Sequence, residues 1–525
     1  MTDKLDILLA MAGYMLIVVF IGVFFAKRSQ ESSKSYFLGG RSLGPWVTAM
    51  SAEASDMSGW LLMGLPGLAY FNSPAEAIWT AIGLAVGTYV NWLIVSKRLR
   101  SYSIVSGDAI TVPDFLSNRF QEKKKIILGV SAIFILIFFT VYASSCFVTC
   151  GKLFAGLFDA DYHTMMLIGA AFVILYTILG GFLAESVSDL MQAIVMIIAL
   201  VGVLIFGVIE AGGFAEVIQN AKDIPGYLSL TKTATPVLDE NGAQIALNGI
   251  AQFGQPGSYD WLTILSTLSW GLGYFGIPQV LLRFMAIRKS SELKSSRRIA
   301  TVWCVISLAA AVMIGIIGRS VFPASATLNS ASSAENVFAE LSQLLFHPIV
   351  AGVIMAGILA ATISSSDSYL LIAASAVSKN IFEGIVKKDA TDKQVMAVSR
   401  VVLILIAVVG AIIAWDEESV IFNVVSFAWA GFGATFGPVI LFSLFWKRTN
   451  RAGALAGMIS GGTMVFIWKL LLKPMGGLWG IYELLPAFVL SSIVIVIASL
   501  LTKKPSAEIE EEFEKAKNYK DEVLA

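Results

Sequence analysis

Two acidic residues interrupt an apolar run near the start of this chain. Residues 51–60 read Ser-Ala-Glu-Ala-Ser-Asp-Met-Ser-Gly-Trp, inside a stretch from about 45 to 71 that is otherwise largely apolar. Asp56 falls mid-run, and Glu53 lies one helical turn before it. A carboxylate held away from water costs on the order of several kcal/mol unless it is paired or neutralised. A bound cation is the natural partner for Asp56; a polar contact between helices is the plainer reading. Further on, residues 360–368 read Ala-Ala-Thr-Ile-Ser-Ser-Ser-Asp-Ser. Hydroxyls in a row can simply satisfy backbone carbonyls. They are also hard oxygen ligands of the kind a sodium ion takes, and a helix break beside them would free carbonyls as further ligands. Set opposite Asp56, the row gains meaning.

The same acidic run carries Gly59, Gly64, Pro66 and Gly67. These weaken a helix by removing side chains and one N–H. A second run reads Trp270-Gly271-Leu272-Gly273-Tyr274-Phe275-Gly276-Ile277-Pro278 and is interrupted in the same way. Glycine alone can just permit close helix packing. Two interrupted helices at matching places in two halves point instead to a transporter binding site.

Other chemistries find little support. The two histidines, His163 and His347, are isolated near loops, and Cys146, Cys150 and Cys304 fall in apolar runs as small packing residues. That pattern offers no metal cluster and no nucleophile–base pair, so an enzyme is not expected. Repeated pore segments or charge rings, as in a channel, are not found. A transporter-like membrane sensor should carry an appended signalling domain, and only a short tail follows the last apolar run.

The elements that must position these residues are membrane helices. Of 525 residues 57% are hydrophobic and 14% charged, against about 25% charged in a soluble domain. Lipid is therefore the main solvent. Thirteen apolar runs are long enough to span, at about 6–26, 45–71, 75–96, 126–151, 162–181, 189–210, 260–284, 299–321, 347–378, 397–414, 420–446, 453–472 and 480–502. They are continuous rather than alternating, so helices rather than a barrel are expected. The first run lacks a small-residue cleavage site and reads as a span, not a signal peptide.

Lys+Arg and Asp+Glu both number 37, which suggests no nucleic-acid partner. Their distribution informs more. Twenty-five Lys and Arg, among them Lys27, Arg28, Lys34, Arg100, Arg119 and Arg283, fall in alternate loops, against seven on the other side, Lys152 and Arg319 included. The positive-inside rule then puts the N-terminus outside and the C-terminus in the cytoplasm. The expected organisation is a first helix and cytoplasmic loop (1–44), a first five-helix repeat (45–210), an extracellular loop with a short helix (211–259), an inverted second repeat (260–446), two further helices (447–502) and an amphipathic cytoplasmic tail (503–525). With an odd number of helices per repeat, the second must be inverted.

Certain stretches resemble the sodium:solute symporter family, most closely its bacterial proline-carrying members. They are Gly39-Gly40-Arg41-Ser42-Leu43-Gly44, the segment from Ala54 to Gly67, Gly180-Gly181-Phe182 with Asp189 downstream, Trp270 to Gly276 with Pro278, and Ala428-Trp429-Ala430-Gly431-Phe432-Gly433 followed by Phe436-Gly437-Pro438. The likeness covers about 35–475. It implies an all-α membrane protein with a leucine-transporter-like core, importing proline with sodium across a bacterial cell membrane, with no obligate protein partner. It implies a sodium site of the carbonyls of Ala54, Met57 and Ala361 and the hydroxyls of Ser364 and Ser365. Substrate would sit at Ser58, Gly59, Tyr142, Trp270, Tyr274 and Pro278. Asp56 would be the nearby essential carboxylate, Asp189 would lie on the cytoplasmic exit path, and Arg41 would serve coupling. Ser365 stands where some relatives carry threonine, and the hydroxyl is kept. Asp367 departs from the proline carriers; its role and that of Glu53 stay open. The physics agrees: a zwitterion needs freed N–H groups for its carboxylate and an aromatic wall for its ring.

Overall fold

A computed structural model describes residues 2–29, 33–519 and 521, and 78% of the chain is helical. The helices follow the apolar runs, and their breaks follow glycine and proline. α1 (Thr2–Ser29) leads through the short α2 (Ser33–Leu38) to α3 (Pro45–Asp56). α3 ends at a break over Met57–Gly59, then resumes as a π-helical turn, Trp60–Gly64, and α4 (Leu65–Phe71). α5 (Pro74–Val90) starts on a Ser73 cap with proline in its first turn, where a missing N–H costs nothing. α6 (Ser96–Val105) and α7 (Val112–Arg119) follow, both inside a segment expected to be loop. α8 (Ile126–Phe158) and α9 (Tyr162–Glu210) form a hairpin. Asp161 caps α9, and the Thr164 amide that it accepts at 2.7 Å holds its carboxyl below the usual range. α9 joins two of the expected runs without a loop. It turns at Gly181, whose φ of 67° and ψ of 173° suit glycine alone.

The 211–259 segment holds the expected short helix, α10 (Phe214–Lys222). It also holds four two-residue strands, a departure from an all-α chain: β1 (Lys232–Thr233) pairs with β4 (Gly257–Ser258), and β2 (Ala246–Leu247) with β3 (Ile250–Ala251). Asn248 and Gly249, both at positive φ, make the tight turn between β2 and β3. α11 (Trp261–Leu268), a 3-10 segment (Ser269–Phe275) and α12 (Pro278–Ala286) make up the second interrupted run. α13 (Leu293–Val321) follows, then α14 (Val337–Leu345), which was not expected, α15 (Pro348–Ser375), α16 (Asp392–Ile413), α17 (Ile421–Phe445), α18 (Arg451–Ile467), α19 (Leu484–Leu501) and the tail helix α20 (Ala507–Asn518).

Ten helices among the described residues are long and apolar enough to cross a membrane. Three of the thirteen expected runs are not among them: 45–71 and 260–284 are broken, and 162–181 is short. Among the ten long helices α15 and α17 are the most buried, and they lie at the centre of the packed core. Close approach of α5 to the 3-10 segment needs glycines: a Cβ on Gly271 would lie 2.2 Å from the Gly83 carbonyl oxygen.

Several charges expected in loops are inside the protein. Arg100, Arg119 and Arg283 on one side, and Lys152 and Arg319 on the other, are buried. Lys152 donates to Glu335 at 2.7 Å, and Glu335 also accepts the amides of Ile421 and Phe422 at the start of α17. Such charges follow internal carboxylates and carbonyls, not the membrane potential. They remove three from the richer side and two from the poorer, so the imbalance persists. The side chains of Lys27, Arg28 and Lys34 lie outside the described residues.

Candidate functional site

In an unbroken helix the Ala54 carbonyl would accept the Ser58 amide. Here α3 stops, and the Ser58 amide bonds the Asp56 carbonyl at 3.1 Å instead. The Ala54 oxygen is thus free, and Ser364 and Ser365 of α15 donate to it at 2.8 and 3.1 Å. Ser364 also reaches the Ala361 carbonyl at 3.2 Å. α15 itself is unbroken here, so the freed carbonyl comes from α3 and not from the serine row. Four of the five groups expected around sodium are therefore brought together. Met57 caps α3, its amide donating to the Glu53 carbonyl at 2.8 Å, and among the described residues the Ser364 and Ser365 hydroxyls bond Ala54 and Ala361 rather than the Met57 carbonyl. The set is all oxygen and neutral, which suits a hard cation. Among the described residues no three His, Cys, Asp or Glu side chains form a metal cage.

Asp56, two residues beyond Ala54, is buried at the same break. Its Oδ2 accepts the Tyr274 hydroxyl at 2.7 Å, and its buried Oδ1 has no hydrogen-bond partner among the described residues. Its carbonyl gathers Trp60 Nε1 at 3.2 Å and the Tyr142 hydroxyl at 3.3 Å. Glu53 faces elsewhere, with Trp92 Nε1 at 3.4 Å from Oε1. The Ser58 hydroxyl is buried with no hydrogen-bond partner among the described residues, and a Cβ on Gly59 would lie 2.4 Å from Thr149 Oγ1. The break therefore packs against α8 and leaves a polar group available. We expect Tyr274→Phe, which strips Asp56 of its side-chain donor, to weaken sodium-dependent uptake by about 1.5–3 kcal/mol, or more than tenfold. Uptake at limiting sodium is the measurement, and an unchanged rate would remove Tyr274 from the site.

Of the expected substrate residues, Ser58, Gly59, Tyr142 and Tyr274 cluster at the Asp56 break. Trp270 lies differently. A 3-10 helix has three residues per turn, so positions four apart diverge by about 120°. Trp270 accordingly does not share a face with Tyr274. It stacks on Tyr482 at 5.2 Å, while Tyr274 meets Trp429 edge-on at 5.1 Å. Trp429 stands between them, 5.9 Å from Trp270, and donates to the Trp270 carbonyl at 2.8 Å. Pro278 opens α12 beside a separate small cavity with Phe37, Thr111 and Asn380.

Asp189 belongs to a second buried centre. Ser51 donates to it at 2.7 Å and Arg283 at 3.2 Å. Arg283 also pairs with Glu185, which accepts from Ser368 too. Asp367 accepts the next amide, that of Ser368, at 2.8 Å, and among the described residues its Oδ2 has no hydrogen-bond partner. Arg41 is in neither centre. It clips the Ala109 carbonyl at 2.8 Å, the Met285 carbonyl at 2.5 Å and Asp108 at 3.0 Å. Sequence reasoning missed Glu185 and Arg283 as partners, although Glu185 and Asp189 are two ionisable groups four apart in an apolar helix. It also gave no role to Trp429 or Tyr482; Trp429 stood in a quoted motif, whereas Tyr482 carried no signal.

The chain has clear relatives. It is 40% identical over 518 residues to a sodium/proline symporter of Escherichia coli (strain K12), covering 98% of this chain and 97% of that protein. It is 39% identical over 513 residues to one of Staphylococcus aureus (strain USA300 / TCH1516), covering 97% and 95%. Its fold matches a solved Na+-coupled sialic acid symporter with a TM-score of 0.73 at 18% identity, over 95% of this chain and 99% of that one. The family model for the sodium:solute symporters matches residues 36–461. The chain belongs to the sodium:solute symporter family.

Proposed function

We propose that this protein is a sodium-coupled secondary transporter that imports L-proline by alternating access. The observation that carries the reading is the free Ala54 carbonyl, met by the Ser364 and Ser365 hydroxyls beside Asp56, where one broken helix faces another. The names of relatives at 39–40% identity over nearly full length support proline as the substrate. Sodium is cargo here. It binds at Ala54, Met57, Ala361, Ser364 and Ser365, with Asp56 supplying attraction. Proline sits at Ser58, Gly59, Tyr142, Trp270 and Tyr274, with Pro278 lining the way inward and Asp189 and Arg41 acting in coupling. One sodium moving inward at about 100 mV contributes roughly 2.3 kcal/mol, which is about fiftyfold in proline gradient.

The ten long helices, the two broken runs and the short one then make thirteen crossings in a bacterial cell membrane, with 45–210 and 260–446 as inverted repeats. The outer segment 211–259 is extracellular and the tail 503–525 cytoplasmic. Single cysteines in place of Leu230 and Ser290 should label from opposite sides with an impermeant reagent. Labelling from one side would overturn the topology. For the function itself the test is counterflow of radiolabelled proline in proteoliposomes with and without sodium. We expect sodium-dependent exchange; tight sodium-dependent binding of another solute, with proline weak throughout, would discard proline as the substrate.

A further inference from the structure

We propose that a groove between α6 and the tail helix α20 binds the headgroup of an anionic phospholipid from the adjoining leaflet. The groove has a volume of about 460 Å³ and lies on the face that carries the lysine- and arginine-rich loops. One wall is apolar: Leu93, Ile94 and Phe445 are 46%, 39% and 50% exposed. The other end is cationic, with Lys97, Arg98 and Lys517. The step from Leu93 and Ile94 to Lys97 and Arg98 takes one helical turn, the distance over which a bilayer passes from acyl chain to phosphodiester.

The cations are left available. Among the described residues Lys97 and Lys517 form no ion pair. Among the described residues Arg98 donates one hydrogen bond, from Nε to the Leu444 carbonyl at 3.0 Å, and its guanidinium is braced 4.8 Å from the Phe513 ring. The tail is rich in glutamate, but its acids pair mainly away from the groove, with only Glu514 near enough to Arg98 to act on it electrostatically. Glu510 and Glu514 approach Lys447 at 3.4 and 3.6 Å, Glu511 pairs with Lys515 at 2.8 Å, and Glu512 meets Gln121 at 3.4 Å. An acidic helix thus presents a basic edge toward the apolar wall. That combination suits a ligand with an anionic head and a hydrocarbon chain. A free anion would have no use for the wall, and a neutral lipid none for three cations. The same ligand would hold α20 in place. Its buried Phe513 already packs on Arg98 and Arg119, and beyond it Asp521 accepts the Ser290 amide at 2.5 Å.

The test is native mass spectrometry of the purified full chain in detergent, with dioleoyl phosphatidylglycerol or dioleoyl phosphatidylcholine added at equal concentration. We expect one phosphatidylglycerol to be retained at least tenfold better, since each cation near an anionic headgroup is worth roughly fivefold. The Lys97→Gln, Arg98→Gln, Lys517→Gln triple variant should lose that preference. Lys517→Gln alone, at an exposed side chain with no ion pair among the described residues, should lower retention roughly fivefold without touching the fold. Lys387→Gln with Lys388→Gln, on another basic loop, should change nothing. Equal retention of the two lipids, or full retention by the single and triple variants, would overturn the proposal. So would displacement of phosphatidylglycerol by an equal concentration of inorganic phosphate, which would make this a free-anion site.

Discussion

Asp56→Asn is expected to raise the sodium concentration for half-maximal uptake by roughly 30- to 150-fold, with the protein still folded. The substitution keeps size and the capacity to bond Tyr274 but removes a unit charge beside the oxygen set. At an effective dielectric near 20 that charge is worth on the order of 2–3 kcal/mol to a nearby cation. Folding should hold because Oδ1 has no hydrogen-bond partner among the described residues to lose and the Tyr274 bond at 2.7 Å can be kept by the amide oxygen. Ser364→Ala and Ser365→Ala should shift sodium dependence in the same direction, each by roughly tenfold, since each deletes one ligand oxygen. The serines carry no charge and also bond to backbone, so their effects should be smaller than that of Asp56. Sodium titration of initial uptake rates checks all three. Unchanged sodium dependence in every variant would show that the cation binds elsewhere.

How much of this was legible in the sequence depends on the kind of signal. Asp56 was legible because a carboxylate in an apolar run has one class of explanation. The breaks in the two interrupted runs were legible from glycine and proline. Their exact place was not: Gly64, Pro66 and Gly67 lie within helical turns, while the chain opens at Met57–Gly59. Glycine permits both opening and close packing, and only tertiary contact decides. Gly67 is needed because a Cβ there would lie 2.7 Å from the Glu335 Cα, a packing reason that no local pattern reveals. The divergence of Trp270 and Tyr274 was hidden for a related reason, since a 3-10 segment and an α-helix can share a sequence. Charges misled where loop and core could not be told apart. Arg283 sits at the end of an apolar run, as a cytoplasmic anchor would, yet it is fully buried.

Arg283→Met should be the most damaging single change outside the cation site. Arg283 joins four elements. Its Nε donates to Ser51 of α3 at 2.9 Å, and its Nη2 to Glu185 and, at 3.2 Å, Asp189 of α9. The same Nη2 reaches Ser368 of α15 at 2.9 Å, and its Nη1 reaches the Gln279 carbonyl of its own helix α12 at 3.3 Å. Phe182 lies against the guanidinium at 4.9 Å. Removing it leaves Glu185 and Asp189 buried together with no cation, and breaking a buried pair from one side costs about 3–5 kcal/mol. We expect a clearly lower unfolding midpoint in detergent and lower yield. Arg283→Lys should recover only part, because an ammonium cannot reproduce the planar fork that serves α3, α9 and α15 at once. The decisive comparison is a double-mutant cycle. Glu185→Gln alone is expected to destabilise the protein, yet combined with Arg283→Met it should cost less than the two single changes added together, since the second change removes a charge the first left stranded. Strict additivity would mean that the two groups do not act as a pair. An Arg283→Met protein as stable as the parent would mean that α3, α9, α12 and α15 are held together by apolar packing alone.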